Sequence, residues 1–471
     1  MSVTTIDPSS GQPLVTYEET GPDDVDAILD RAHAAAARWR ATPVLERAGA
    51  LQRLASALRS GADELALLAT REMGKPLGDS HAEVEKCAWT CEWFAERGPA
   101  MLERDVFETE AVESFVEYIP RGVLFAIMPW NFPYWQVIRA LAPAVAAGNV
   151  VVLKHAPSTT GCALALERAA RDAGLPDGVL SVLVASVQGT PALSEGVIGD
   201  DRVAAVTLTG STRAGRAVAA IAGRALKKTV LELGGSDPFL VLADADIEAA
   251  AVWATRSRFQ NAGQSCIAAK RIIVEAQIAD EFVERMLAHV AELRIGDPTE
   301  PGTTVGPVAR SDLRDALARQ VRESIEQGAR VLAGGRVPER AGFYYEPTVL
   351  DQVTATMPVM SEEVFGPAVP IVRAADADAA IAIANDTRFG LGSNVFTSDL
   401  AGGAARALRL EAGHTAVNWM TTSDARLPFG GIKDSGYGRE LSTHGLHEFV
   451  NVHTVVVHEP GGPGGAAQTI E

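Results

Sequence analysis

Cysteine is scarce in this chain, with four in 471 residues, at positions 87, 91, 162 and 266. Their irregular spacing excludes a disulfide framework and suits a reducing, cytoplasmic compartment. Cys87 and Cys91 stand a helical turn apart in CAWTC, but no nearby His or Cys completes a ligand set, so no metal is expected. Cationic residues are also in deficit, 42 Lys and Arg against 60 Asp and Glu, for a formal net charge of −18. Such a field repels nucleic acid and anionic membrane surfaces, and no basic cluster reverses it locally. No apolar run reaches the length of a membrane span, and the N-terminus has no basic segment followed by an apolar one. Small-molecule chemistry is the class left open, and an anionic substrate would need specific cationic side chains to meet it.

What is present is apolar and periodic. Hydrophobic residues make up 47% of the chain and charged residues 22%, which fits two or more α/β units rather than one core. Three- and four-residue spacing predicts amphipathic helices from Pro22 to about Arg97. VESFVEYIPRG and GVLFAIMPW read as strands. From there the expected order is a helix over 135–147, strand NVVVLK, helix GCALALERAARDAG, strands GVLSVLVA and VAAVTLTG, helix AGRAVAAIAG and strand KTVLELGG. Continuous apolar strands interleaved with helices mean a mostly parallel sheet covered on both faces, a dinucleotide-domain pattern without GxGxxG. A second alternating region runs from Gly235 to about Asn418. The low-complexity tail, residues 460–471, is expected to be flexible.

Several short motifs could carry chemistry, and each has a plain structural alternative. Gly210 and Ser211 open a helix after an apolar strand, which would present backbone N–H groups to a phosphate or form an ordinary N-cap. Lys154 ends a strand, where open α/β sheets bind ligands, or is a solvated strand-end lysine. Asn131 lies between two prolines in PWNFP and would suit a preorganised oxyanion donor or a tight turn. Glu232 ends the strand of LELGG, where burial would raise its pKa toward that of a general base, unless it is exposed at a sheet edge. Cys266 closes FQNAGQSC, and an unselected cysteine is usually inert packing. Their combination in one chain fits a thiol nucleophile with oxyanion donor, base and dinucleotide.

PWNFP, LTGSTRAG, LELGG, NAGQSC, EEVFGP and PFGGIKDSGYGRE, in this order, resemble the aldehyde dehydrogenase superfamily from about Ile6 to Val456. VLKHAPS, LELGGSDPF, QNAGQSCIAAKR and GRELSTHGLHEF resemble in particular its bacterial succinate-semialdehyde dehydrogenases. The resemblance implies an aldehyde dehydrogenase-like α/β fold: a Rossmann-type cofactor domain (1–107 and 121–233), an α/β catalytic domain (234–435) and a small β oligomerisation element (108–120 and 449–459). It implies Cys266 as nucleophile, Asn131 as oxyanion donor and Glu232 as the base that hydrolyses the thioester, since relatives that pass the acyl group to coenzyme A lack this glutamate. Trp130, Gly210 and Ser211 would hold the pyrophosphate region and Lys154 the adenine ribose. Glu363 would hold the nicotinamide ribose, Phe365 would lie against the nicotinamide, and Leu233 would reach its amide through the backbone.

Two departures bear on specificity. Strictly NAD-using relatives often carry a glutamate three residues after the strand-end lysine; here Pro157 and then Ser158 leave nothing to repel a 2′-phosphate, so NADP is expected with NAD possible. Some succinate-semialdehyde enzymes place a carboxylate-binding arginine six residues before the nucleophile, where this chain has Gln260. Arg139 and Arg426 are the substitute candidates, each with an ion-pair alternative. The expected activity is oxidation of succinic semialdehyde to succinate by a homodimer or homotetramer. The same oxidation of another aldehyde, or a silent dinucleotide-binding protein, stands as the alternative.

Overall fold

The computed structural model describes residues 2–460, so the expectation for the tail lies largely outside the described residues. Two sheets dominate. The first has six strands in the spatial order Gly436–Tyr437, Lys228–Glu232, Val203–Thr209, Val123–Met128, Val150–His155 and Leu180–Leu183. All neighbours are parallel except the short Gly436–Tyr437 strand, which runs antiparallel to Lys228–Glu232. Val123–Met128 comes first in sequence, and the chain builds outward from it on one side before returning to the other. The strand order therefore reverses beside its carboxyl end, the position where open parallel sheets bind ligands. The strands read as unbroken apolar runs because helices cover both faces: every residue of Val150–His155 is buried.

The second sheet has seven strands, in the order Arg330–Ala333, Thr348–Asp351, Ala368–Ala374, Arg271–Glu275, Pro238–Val241, Gly392–Phe396 and His414–Val417. Only its first pair is antiparallel. A third, antiparallel sheet joins Val450–Val457, Glu113–Pro120 and Asp105–Val106. Its register begins at Asp105, so two residues expected in the cofactor unit belong to this sheet instead. Among the described residues no helix is long and apolar enough to cross a membrane.

The helical N-terminal region divides at Gly61 into Val44–Ser60 and Ala62–Met73. Two features stand outside the sequence expectation. Ser2–Ile6 pairs with Pro13–Glu18 as a hairpin, and a helix, Thr190–Gly199, lies between the strands expected at GVLSVLVA and VAAVTLTG. That helix keeps the crossover between two parallel strands covered, as such a connection requires.

Candidate active site

The helix Ile247–Phe259 ends just before the octapeptide that carries Cys266. Three consecutive residues then take left-handed backbone angles, with φ of 51° at Asn261, 51° at Ala262 and 71° at Gly263. Such a run costs roughly 1 kcal/mol or more at each non-glycine position, so the surroundings must hold it. They do so with side chains. Asn261 Nδ2 donates to the Asn131 carbonyl (2.8 Å), Gln264 Nε2 donates to the Asn261 carbonyl (3.1 Å), and Ala309 N–H donates to Gln264 Oε1 (2.8 Å). Gly263 packs directly on the Gly366 backbone, where a Cβ has no room. The fully buried Arg258 clamps the same place, its Nη2 donating to the carbonyls of Gly263 and Val364 (both 3.2 Å) and to that of Gly366. Burial pushes its pKa down to about 9.

The result is a half-buried Cys266 at the wall of a cavity of about 250 Å³. Burial pushes its thiol pKa up to about 11, against the opposing pull of Arg139 and Lys270. Asn131 is buried beside the nucleophile turn: its Nδ2 donates to the Gln264 carbonyl (3.0 Å) and its Oδ1 accepts from Gln136 Nε2 (3.4 Å). These bonds hold the amide in one orientation. Lys270, four residues after the cysteine, donates from Nζ to the Cys266 carbonyl (2.7 Å) and to Glu363 Oε1 (2.9 Å), an oxygen that also accepts from Gly235 N–H (3.1 Å). A Cβ at Gly235 would lie 2.8 Å from the Cys266 carbonyl oxygen, so the second glycine of LELGG is what lets the strand end approach the nucleophile.

Glu232 is the last residue of its strand, 2% exposed, and neither carboxylate oxygen has a hydrogen-bond partner among the described residues. Burial raises its pKa well above the carboxylate range, and the neighbouring Glu440 adds to this while Arg139 opposes it. The raised pKa makes its ionised form a stronger base than a free carboxylate, which suits general-base work. Arg139 comes from the helix Trp135–Ala147 and is buried to 1% exposure. It lines the cavity, but its Nε pairs with Glu440, its Nη2 donates to Thr209 Oγ1 (3.0 Å), and its guanidinium lies 4.9 Å from the Phe429 ring centre. Gln260 also lines the cavity. Arg426 does not; its guanidinium forks onto Asp424 (2.9 and 2.6 Å) and lies over Trp89, in solvent. Of the two substitute candidates, Arg426 is the one placed outside the cavity wall, held in the ion-pair alternative by a partner two residues away.

On the other side of the strand ends, Lys154 is buried, and desolvation alone brings its pKa down to about 8. Pro157 opens a short 3-10 turn, Pro157–Thr159, and the Ser158 Oγ inside it is buried without a partner among the described residues. A lone cation beside an unsatisfied hydroxyl fits a ribose or its phosphate. His155 ties this turn to PWNFP: Nε2 donates to the Pro133 carbonyl and Nδ1 accepts from Thr159 Oγ1, both at 2.9 Å. Ser211 caps the helix Thr212–Arg224, its Oγ accepting from Ala214 N–H (3.3 Å), while Gly210 N–H donates to the Glu232 carbonyl (2.9 Å). A Cβ at Gly215 would lie 2.5 Å from Leu233 Cδ2, and Leu233 N–H donates to the Ser435 carbonyl (3.0 Å). Trp130 and Phe365 meet edge to face, 5.7 Å between ring centres.

The sequence model of the aldehyde dehydrogenase family matches residues 1–455. This chain belongs to the aldehyde dehydrogenase family. Among its relatives is a succinate semialdehyde dehydrogenase named for NAD(P) from Escherichia coli, 49% identical, with the alignment covering 96% of each chain. An NADP succinate-semialdehyde dehydrogenase of Mycobacterium tuberculosis is 46% identical, covering 97% of this chain and 99% of the relative. The crystal structure of succinic semialdehyde dehydrogenase from Streptococcus pyogenes in complex with NADP+ superposes with a TM-score of 0.94 at 35% identity, covering 97% of this chain and all of the other. Within this family member, the residues that sequence reasoning missed are Arg258, Lys270 and His155. None had a readable local signal: Lys270 follows the cysteine by four residues, but the segment between them is not helical.

Proposed function

We propose that this aldehyde dehydrogenase oxidises succinic semialdehyde to succinate with NADP or NAD. The observation that carries the chemistry is a half-buried thiol in the wall of a cavity, with the Asn131 amide fixed on the turn that carries it; the buried, unpartnered Glu232 carboxyl at its strand end supports the hydrolytic half. Cys266 Sγ attacks the aldehyde carbon, and the oxyanion that forms is held by Asn131 Nδ2 and the Cys266 N–H. The dinucleotide, when bound, supplies the acceptor for the hydride lost from that carbon. Glu232 takes a proton from the water that cleaves the resulting thioester, which frees the thiol and releases carboxylate. Lys154, Ser158, Gly210 and Ser211 hold the adenosine and phosphate side of the cofactor, with Trp130 and Pro157 shaping it. Glu363, Phe365 and the Leu233 backbone hold the nicotinamide side.

The orphaned Ser158 hydroxyl beside Lys154, with no carboxylate at Pro157, supports NADP over NAD. A different aliphatic or aromatic aldehyde is the second reading, favoured by the uncharged Gln260 in the cavity wall. The three-stranded sheet supports pairing between copies into a dimer or tetramer: Val450–Val457 forms its edge, with Val452 59% and Val456 52% exposed. The reducing cytoplasm is the compartment proposed for the free thiol. Steady-state kinetics on a panel of aldehydes, each with NADP and NAD, test the proposal. The highest kcat/KM is expected for succinic semialdehyde with NADP, and a longer or aromatic aldehyde at the top of the ranking would overturn it.

A further inference from the structure

The substrate cavity has three cationic side chains in its wall, Lys86, Arg139 and Arg256, and they are not equivalent. Arg139 is already matched by Glu440 within the core. Arg256 is exposed at the mouth and lies 5.4 Å from the Trp253 ring centre. Lys86 is half-buried, its Nζ donates to Ser423 Oγ (2.9 Å), and it sits 4.0 Å from the Trp135 ring centre.

The cavity wall also holds Asp79, whose pKa burial raises; the two acids whose charge acts on Lys86, Glu83 and Asp424, are committed elsewhere. Glu83 accepts from the Tyr134 and Trp135 N–H groups (2.8 and 2.9 Å) with one oxygen and pairs with Lys75 through the other. Asp424 is taken by both the side chain and the backbone N–H of Arg426. Lys86 therefore has no carboxylate partner among the described residues, and burial lowers its pKa to about 8. Ser423, whose oxygen accepts from Lys86, keeps its own O–H free to donate. An ammonium and a hydroxyl thus face one cavity together, a donor pair suited to a carboxylate. Lys86, Ser423 and Cys266 line the same cavity of about 250 Å³.

We infer that Lys86, with the Ser423 hydroxyl, anchors the carboxylate at the far end of the semialdehyde while Cys266 attacks its aldehyde end. This rests on the substrate reading above. The chain then needs no arginine at position 260, because the charge that meets the substrate comes from the helix Leu77–Met101 instead.

The test compares Lys86→Met, Lys86→Arg and Arg256→Ala with the unmodified enzyme on succinic semialdehyde and on butanal, which has the same carbon count and no charge. Lys86→Met is expected to raise KM for the semialdehyde by about 10- to 100-fold, the range set by one charge-assisted hydrogen bond. Its effect on butanal should be at least about tenfold smaller, and Lys86→Arg should recover most of the loss. Product inhibition by succinate should weaken in parallel, a readout that a merely structural lysine would not move. Equal losses on both aldehydes would overturn the anchor, as would a KM shift seen in Arg256→Ala and absent in Lys86→Met. An unmodified enzyme that prefers butanal would overturn the substrate reading, and the anchor with it.

Discussion

The thiol end and the far end of the cavity are built on different principles. Around Cys266, neutral amide side chains and close backbone contacts fix the geometry: Asn131 and Asn261 on neighbouring carbonyls, Gly366 against Gly263, Gly235 against the Cys266 carbonyl. At the far end, side-chain charges decide. Arg139 has a buried carboxylate, Arg426 a half-buried one outside the cavity wall, and Lys86 has none among the described residues. Geometry at the first end depends on short turns held by hydrogen bonds, whereas the proposed function at the second depends on which cation is left without a partner among the described residues.

The largest expected effect breaks the thiol end. Cys266→Ala should lower aldehyde-dependent NADPH formation by at least about 10⁴-fold, as removing a nucleophile does elsewhere. Activity surviving above that level would mean that another group attacks the aldehyde. In the unmodified enzyme without cofactor, the thiol titrates near 11 because burial disfavours the thiolate. The thiolate fraction below that value rises with pH, so alkylation by iodoacetamide should speed up about tenfold per pH unit between roughly pH 7 and 10. A plateau near pH 8 would show that the cavity solvates the thiolate far better than its walls suggest.

Next comes the buried cation of the far end. Arg139→Ala leaves Glu440 buried without its partner and beside Glu232, which should cost about 3–5 kcal/mol of stability. Turnover of charged and uncharged aldehydes should fall together, because Glu232, the base proposed for thioester hydrolysis, is disturbed whatever the substrate. Thermal unfolding and two-substrate kinetics would check this. A stable variant with a KM defect confined to succinic semialdehyde would make Arg139 a substrate anchor in its own right.

Much of the architecture was legible because buried parallel strands are long apolar runs, as at Val150–His155. The helix Thr190–Gly199 was not: TPALSEGVIG mixes proline, serine and glycine, and its apolar residues do not line up on one face. The N-terminal hairpin was missed because Ser2–Ile6 is short and its buried Thr5 breaks the apolar/polar alternation that marks a half-buried strand. In the site, Cys266, Asn131 and Glu232 could be singled out because each sits next to prolines or glycines that mark a special backbone. Arg258 and the Arg139–Glu440 pair could not, since an arginine's partner is set by tertiary packing and leaves no local pattern.

The smallest expected effect separates the two candidate arginines of the sequence reading. Arg426 shares the loop that carries Ser423, so proximity alone would favour a role for it. Its geometry says otherwise: both Asp424 oxygens hold its guanidinium at 2.9 and 2.6 Å, and the guanidinium itself stands in solvent, where such contacts contribute little. Arg426→Ala should change KM for succinic semialdehyde by less than about twofold, against the 10- to 100-fold expected on losing Lys86. Asp424 provides the one indirect route. Freed from Arg426, it could turn its charge toward Lys86 and compete with the substrate, so the double variant with Asp424→Asn should be indistinguishable from the unmodified enzyme. A KM increase in Arg426→Ala that the second substitution fails to reverse would show that Arg426 itself reaches the carboxylate, and the far end would then have two anchors.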